Sequence, residues 1–197
     1  MSATVCEIGA GAALIACALF APGAARAQDA EAEQRAKEIE AVCSKAHCRP
    51  ARTVSVRLED GSNFERAVPR LPIVLPNGWI TLYPGEEIHV ELAVAGDAIK
   101  SARAVARPVR RNSTVTFKLS QRPGNADMQL AVTHALPQNL KYNVGMMLPT
   151  GGQLIATPSC PVPPGVTTHE TWTHPVFQLV IRDLRFLPEG APLTCEK

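Results

Sequence analysis

The stretch Trp79–Gly96 constrains the fold of this chain more than any other part of the sequence. Apolar and polar residues alternate on both sides of Pro84-Gly85, so each segment has one apolar face. A period of two residues predicts half-buried antiparallel strands. Pro84 fixes φ and Gly85 permits a positive φ, so we expect the chain to reverse or to change sheet there. This pattern predicts how the protein is built and does not indicate its function.

Further short strand patterns follow one another from residue 51 to the C-terminus. The alternating segment ahead of Asp60-Gly61 predicts a hairpin. The last pattern, Val176–Leu187, changes phase near Arg182-Asp183, which predicts a β-bulge. About eight or nine short strands with regular turn signals predict a mainly β fold, an antiparallel immunoglobulin-like β-sandwich.

One helical pattern precedes these strands. Within Asp29–Ala46, apolar residues recur at helical spacing and no glycine or proline interrupts them. An intact helix would hold Cys43 and Cys48 about 8 Å apart, too far for a disulfide. If these two cysteines pair, the helix has to stop near Lys45.

The N-terminus is predicted to be a cleaved leader. The apolar run Ile8–Phe20 is too short to span a membrane, and Ala25-Arg26-Ala27 is typical of a signal-peptidase site. A lipoprotein box with an acylated Cys17 is the rival interpretation, and the bulky Ile15 argues against it. We therefore expect a signal peptide (1–27), an N-terminal helix and disulfide turn (28–50) and a β-sandwich domain (51–197), located in the periplasm or secreted.

The cysteines support export to an oxidising compartment. Of the six cysteines, Cys6 and Cys17 lie in the leader. The remaining four are Cys43, Cys48, Cys160 and Cys195. An even number in an exported chain predicts two disulfides, for which three pairings exist. Cys43–Cys48 and Cys160–Cys195 are the favoured pairing.

The loop Thr157–Pro175 is the first candidate for a functional site. It holds His169, Glu170, Trp172 and His174, and long loops on rigid sheets often carry function. The two histidines are five residues apart in a sequence unsuited to a helix, so they do not match a zinc-protease motif. The alternative is that Trp172 caps one end of the core.

A basic cluster is the second candidate. It consists of Lys100, Arg103, Arg107, Arg110 and Arg111. These side chains could contact phosphate or carboxylate groups of the cell envelope. The alternative is a solvated edge strand whose charges, with Pro108, discourage pairing between sheets.

The sequence favours a non-catalytic binding module over an enzyme. Its net charge of +2 favours neither nucleic acid nor a strongly anionic surface as the partner. We expect a protein or cell-envelope partner, no transmembrane helix in the mature chain, no cofactor and no resident metal. The main alternative is a periplasmic metal-binding protein that uses some of its histidines: His89, His134, His169 and His174. A hydrolase with a site assembled from loops ranks third, because no motif supports it.

The leader prediction can be tested directly. Signal-peptidase cleavage after Ala27 should leave Gln28 as an unmodified N-terminus. Mass spectrometry of the protein purified from its native compartment measures this. An acylated Cys17 at the N-terminus would overturn the prediction.

Overall fold

The computed structural model describes residues 22–195, with side chains from residue 30 onward. The leader residues 1–21, including Cys17, lie outside the described residues. Helix α1 spans Pro22–Cys43, so it begins before the predicted cleavage site and ends earlier than the predicted Ala46. The chain divides into two compact units, one ending at Ala36 and the other beginning at Lys37. No helix among the described residues is long and apolar enough to cross a membrane.

The rest of the described chain is mainly β, as predicted. The strands are β1 (Cys48–Arg49), β2 (Arg52–Arg57), β3 (Asn63–Val68), β4 (Leu71–Pro72), β5 (Ile80–Leu82), β6 (Glu86–Ala95), β7 (Ala98–Val105), β8 (Thr114–Gln121), β9 (Met128–His134), β10 (Leu140–Met147), β11 (Ile155–Thr157), β12 (Thr167–Trp172) and β13 (Gln178–Phe186). A five-stranded sheet has the order β12-β9-β8-β6-β7, and a four-stranded sheet has the order β11-β10-β13-β5. Two-stranded sheets join β1 to β4 and β2 to β3, and the pairings in all four sheets are antiparallel.

The two larger sheets share one hydrophobic core. Buried side chains from both sheets form a single cluster. β9 alternates between buried and half-buried residues along its whole length, as a period of two requires. Phe117 of β8 and Tyr142 of β10 are fully buried and meet edge to face, with ring centroids 5.9 Å apart. Such an aromatic pair adds about 0.5–1.5 kcal/mol beyond the burial of its area.

The stretch Trp79–Gly96 crosses from one larger sheet to the other. β5 pairs with β13 in the four-stranded sheet, whereas β6 lies between β7 and β8 in the five-stranded sheet. The chain changes sheet at Pro84-Gly85, where Gly85 has a φ of +79° that glycine adopts without steric cost. The prediction of two strands joined by a turn at this dipeptide is confirmed.

A buried arginine from β1 holds this crossing in place. Arg49 is 3% exposed and donates from Nη2 to the carbonyl and hydroxyl oxygens of Thr81, at 2.7 and 2.9 Å. Its Nη1 lies 3.2 Å from Glu86 Oε2, and its guanidinium carbon lies 4.6 Å from the ring centroid of Tyr83. Burial lowers the pKa of Arg49, and the Glu86 carboxylate opposes that shift. The segment that carries β1 is thereby fixed to the point where the chain changes sheet.

β13 contains the bulge that its change of phase predicts. Asn143 pairs with Arg182 whereas Lys141 pairs with Arg185, so β13 accommodates one extra residue. Asp183 adopts a φ of +56°, and Asn143 donates from Nδ2 to its carboxylate at 2.8 Å. The apolar residues before and after the bulge consequently pack against the same core.

Both disulfides have the favoured pairing. Cys43 is joined to Cys48 with a Cα–Cα distance of 5.5 Å, which is possible because α1 ends at Cys43. Cys160 is joined to Cys195, so the C-terminal tail after β13 is tied to the connection between β11 and β12.

The prediction of one long loop over Thr157–Pro175 is wrong. This stretch contains β12, which pairs with β9 along its full length. The strand was missed because its inward positions are Thr168, Glu170 and Trp172, so they do not form an apolar stripe. β7 spans Ala98–Val105, so Pro108 lies beyond this edge strand and not within it.

The two disulfides should stabilise the protein unequally. Cys160–Cys195 closes a separation of 35 residues and Cys43–Cys48 one of only 5. Chain entropy then predicts contributions of about 4 and about 2 kcal/mol to the free energy of unfolding. The double variant Cys160→Ala/Cys195→Ala should therefore lose more melting temperature than Cys43→Ala/Cys48→Ala, as scanning calorimetry can show. Equal losses, or the reverse order, would contradict the prediction.

Candidate functional site

The basic patch (Lys100, Arg103, Arg107, Arg110 and Arg111) lies at one edge of the five-stranded sheet and in the loop that follows. β7 is the terminal strand of that sheet, the position that the edge-strand interpretation requires. Because β7 ends at Val105, three of the five cations stand in the connection to β8. All five residues are exposed to solvent.

Glu91, in the middle of β6, binds two arginines of this patch. It stands opposite Arg103 of β7 in the sheet register. Arg103 donates from Nε and Nη2 to Glu91 Oε2, with the Nε contact at 2.9 Å. Arg110 donates from Nε to Oε1 and from Nη2 to Oε2, each at 3.1 Å. The Glu91 side chain is only 5% exposed, whereas those of Arg103 and Arg110 are 68% and 64% exposed, so charged guanidinium groups cover the carboxylate.

The local turn directs Arg110 towards Glu91. A 3-10 turn spans Arg111–Ser113, and the Arg110 carbonyl accepts hydrogen bonds from the Ser113 N–H at 3.1 Å and from Thr114 Oγ1 at 2.7 Å. Thr114 in turn pairs with Glu91 in the register of β8 against β6. A side chain that lies 19 positions from Glu91 in sequence is therefore held beside it.

Ion pairing shifts the pKa of two members of this cluster. Hydrogen bonds from Arg110 and from Arg103, in that order of effect, lower the pKa of Glu91. The hydrogen bond to Glu91 and its negative charge raise the pKa of Arg110. Glu91 and Arg110 consequently both carry charge at neutral pH.

A cleft of about 570 Å³ lies against this cluster. Its polar lining consists of Glu91, Ser101, Arg103, Arg110, Asn112 and Ser113. Its apolar lining includes Val94, Leu136 and Pro137, and Val94 is 41% exposed. The cleft thus combines two guanidinium groups and neutral donors with an apolar wall.

The other three cations of the basic patch are not neutralised by protein groups. Among residues 30–195, the side chains of Lys100, Arg107 and Arg111 make no hydrogen bond or ion pair. Glu91 is the one carboxylate that the structure places on the patch cations in this part of the chain. The patch therefore has a clear excess of positive charge.

The second predicted site is divided between the two faces of β12. Glu170 and Trp172 are buried on the inner face, whereas His169 is exposed on the outer face. His174 lies beyond the strand and is half-buried, with Nε2 3.4 Å from Met146 Sδ. The four residues predicted as a recognition site do not share one surface.

Trp172 lies in the hydrophobic core. It is 8% exposed, and its Nε1 donates to Thr157 Oγ1 at 2.9 Å. This position corresponds to the alternative interpretation, in which Trp172 packs against the end of the core and its polar edge is satisfied from a neighbouring strand.

Glu170 is the centre of a buried polar cluster. The Tyr142 hydroxyl and the Cys160 N–H both donate to its Oε1 at 2.9 Å, and its Oε2 accepts no hydrogen bond from the described residues. Burial raises the pKa of Glu170, which those two hydrogen bonds and the charge of Lys141 partly oppose. Burial also raises the pKa of Tyr142 well above its ordinary value, and the neighbouring Glu170 adds to the shift.

The structure separates the histidines of the metal-binding alternative. His134 is buried, and its Nε2 donates to the Val162 carbonyl at 2.8 Å while its Nδ1 accepts from the Leu136 N–H at 3.1 Å. Burial lowers the pKa of His134, and its neutral ring has no free lone pair for a metal. His89 and His169 lie on strands that β8 and β9 separate. Among the described residues, no group of three or more His, Cys, Asp or Glu side chains is arranged to hold a metal ion.

The sequence predicts the cations of the cleft but gives little sign of Glu91. Within β6 this residue is one polar member of an alternating pattern, which is typical of any solvent-facing position. Its partners lie 12 and 19 residues away, across a hairpin whose register the pattern alone does not fix. The one available signal was a carboxylate on the strand that precedes a run of arginines.

Comparisons with known proteins leave the family open. No protein-family model matches this chain, and neither the curated proteins nor the solved structures give a match.

The raised pKa of Glu170 predicts how stability depends on pH. The folded state binds this proton more tightly than the unfolded state, whose pKa is about 4.3. The resulting stabilisation is fully present below that value and is lost as the pH rises through the folded pKa. Glu170→Gln should remove this loss, because a neutral amide still offers an acceptor to Tyr142 and Cys160. Urea unfolding between about pH 4 and pH 8 measures the difference.

Glu59→Gln is the matched control, because Glu59 is exposed in the hairpin between β2 and β3. The control should keep the pH profile of the wild-type protein. If Glu170→Gln also kept that profile, the Glu170 prediction would be wrong.

Proposed function

We propose that this chain is an exported, non-catalytic β-sandwich module of immunoglobulin type that binds an anionic component of the cell envelope through its basic patch. The observation that carries the proposal is the charge imbalance at β7 and the loop after it. Five exposed cations meet one carboxylate there, and Lys100, Arg107 and Arg111 have no partner among residues 30–195.

The proposed export and architecture have separate support. Two disulfides fit an oxidising compartment. Two antiparallel sheets with a common core fit a sandwich.

A binding role fits the placement of charge better than a catalytic role does. Three buried groups with a raised or lowered pKa, Glu170, Tyr142 and His134, are held in the core by hydrogen bonds. None of these three lines the clefts of about 840, 570 and 340 Å³ in the described chain. The charged groups of the basic patch that face solvent are four arginines and one lysine, which bind anions as fixed cations.

The proposed attraction is local and does not depend on the net charge of the chain. A net charge of +2 is small, so long-range steering of the whole molecule is weak. The patch cations lie within a few residues of one another along the chain, so an anionic surface meets several of them together. Binding should then weaken steeply as salt is added, since the exposed charges are screened over about 10 Å at 0.1 M ionic strength.

Vesicle sedimentation tests the proposal. The protein should bind vesicles that contain phosphatidylglycerol and should not bind vesicles of phosphatidylcholine alone. The triple variant Lys100→Gln/Arg107→Gln/Arg111→Gln removes the three unpaired cations and leaves the Glu91 cluster intact. Each cation near an anionic surface contributes about 1 kcal/mol, so the variant should bind at least about tenfold more weakly.

A second triple variant provides a matched control for the change of charge. Lys45, Arg57 and Arg122 are exposed cations outside the patch, so their replacement by glutamine alters the net charge equally. The control should bind like the wild-type protein. Equal losses in both triple variants, or no preference of the wild-type protein for the anionic vesicles, would refute the patch as the binding surface.

A further inference from the structure

The cleft beside Glu91 has hydrogen-bond donors that the protein itself does not use. Arg103 and Arg110 each contact Glu91 through Nε and Nη2. In the part of the chain with described side chains, the Nη1 groups of both arginines have no hydrogen-bond partner. Both guanidinium groups line the cleft and are largely exposed.

Neutral donors stand in the same cleft. The side chains of Ser101 and Asn112 line it and form no hydrogen bond with any described residue. Ser101 lies on β7, two positions before Arg103, while Asn112 lies in the 3-10 turn after Arg110. The cleft therefore offers donors from two different elements of the fold.

The charge of the cleft suits an anion. Two arginines and one glutamate leave a net charge of +1, and the pKa shifts of Glu91 and Arg110 keep these groups ionised at neutral pH. The Glu91 carboxylate already occupies one edge of each guanidinium, so an added anion has to use the remaining donors.

The spread of donors favours a tetrahedral anion over a planar one. A carboxylate has two oxygens in one plane and is satisfied by one guanidinium edge. A phosphate group presents oxygens in several directions and can accept from both arginines together with Ser101 or Asn112. The apolar wall of Val94, Leu136 and Pro137 leaves room for a less polar group attached to it.

We propose that this cleft binds a phosphate group, with Arg103, Arg110, Ser101 and Asn112 as its donors. The inference rests on the proposed function and names the chemistry that the basic patch recognises. The phosphate belongs either to a lipid head group or to a free phosphorylated small molecule, and these two sources share the same contacts.

Isothermal titration with inorganic phosphate at low ionic strength, in a phosphate-free buffer, tests the cleft. The wild-type protein should show saturable binding of one phosphate, and acetate should bind about tenfold more weakly. Arg103→Gln and Arg110→Gln should each weaken phosphate binding at least about tenfold, because each removes a positive charge and the Nη1 donors that Glu91 does not use. The control variant Arg57→Gln should stay within about twofold of wild type, since Arg57 is an exposed cation outside both the basic patch and the cleft.

Ser101→Ala and Asn112→Ala keep the test decisive if the arginine variants fail to fold. Neither side chain forms a hydrogen bond with Glu91, so both variants should fold and bind phosphate several times more weakly than the wild-type protein. Wild-type affinity in all four cleft variants, acetate as tight as phosphate, or no saturable phosphate binding by the folded wild-type protein would each overturn the inference.

Vesicles of phosphatidylglycerol distinguish the two sources of phosphate. If Arg103→Gln and Arg110→Gln weaken binding to vesicles and to inorganic phosphate, the cleft takes a lipid head group. If they weaken only inorganic phosphate binding, it takes a free phosphorylated molecule.

If the patch cations govern vesicle binding while phosphate does not bind, the cleft inference fails and the proposed function stands. If phosphate binds through Arg103 and Arg110 while the wild-type protein does not bind anionic vesicles, the proposed function fails and the cleft inference stands.

Discussion

Arg49 is buried where the chain crosses from the four-stranded to the five-stranded sheet, and the arrangement of both sheets depends on that crossing. A buried cation is tolerated only with partners, which Thr81 supplies through two oxygens and Glu86 through its carboxylate. Glu86 also accepts a hydrogen bond from the Tyr83 N–H at 2.9 Å, and Arg52 donates to the Pro84 carbonyl at 2.6 Å. Two arginines, each 32 residues before its partner in sequence, therefore hold the turn in place. With this turn fixed, β5 joins one sheet and β6 enters the other, beside the strand that carries the basic patch.

Features that depend on neighbouring residues could be predicted from the sequence, whereas features that depend on register could not. The turn at Pro84-Gly85, the hairpin around Gly61 and the bulge at Asp183 follow from local periodicity and from residues that tolerate positive φ. β12 was missed because Glu170 stands at a core position, where burial is offset by hydrogen bonds from Tyr142 and Cys160 that no local pattern reveals. The cleft was missed for the same physical reason, since long-range register decides its partners.

The two buried glutamates show how surroundings decide what a carboxylate can do. Burial raises the pKa of Glu170 more than its two neutral donors and the charge of Lys141 lower it, which favours the protonated form. Glu91 is as inaccessible to water as Glu170. Two guanidinium groups cover its carboxylate, however, so its pKa is lowered and it stays ionised. The first carboxylate helps to join β12 to the connection at Cys160. Glu91 holds Arg103 and Arg110 side by side at a cleft, and the Nη1 groups of both arginines remain as unused donors.

Protection of a sheet edge and recognition of an anion make different demands on where charge is placed, and the basic patch has cations both on the edge strand and beyond its end. Protection needs charge on the edge strand itself, and Lys100 and Arg103 on β7 satisfy it. The bulge of β7 against β6, at Lys100, strengthens that protection by disturbing the register there. Arg107, Arg110 and Arg111 lie beyond the end of β7, where no backbone edge needs covering. Edge protection therefore does not account for Arg107 and Arg111, whereas Arg110 pairs with Glu91. A local excess of fixed cations beside a cleft is the arrangement that an anion-binding surface requires.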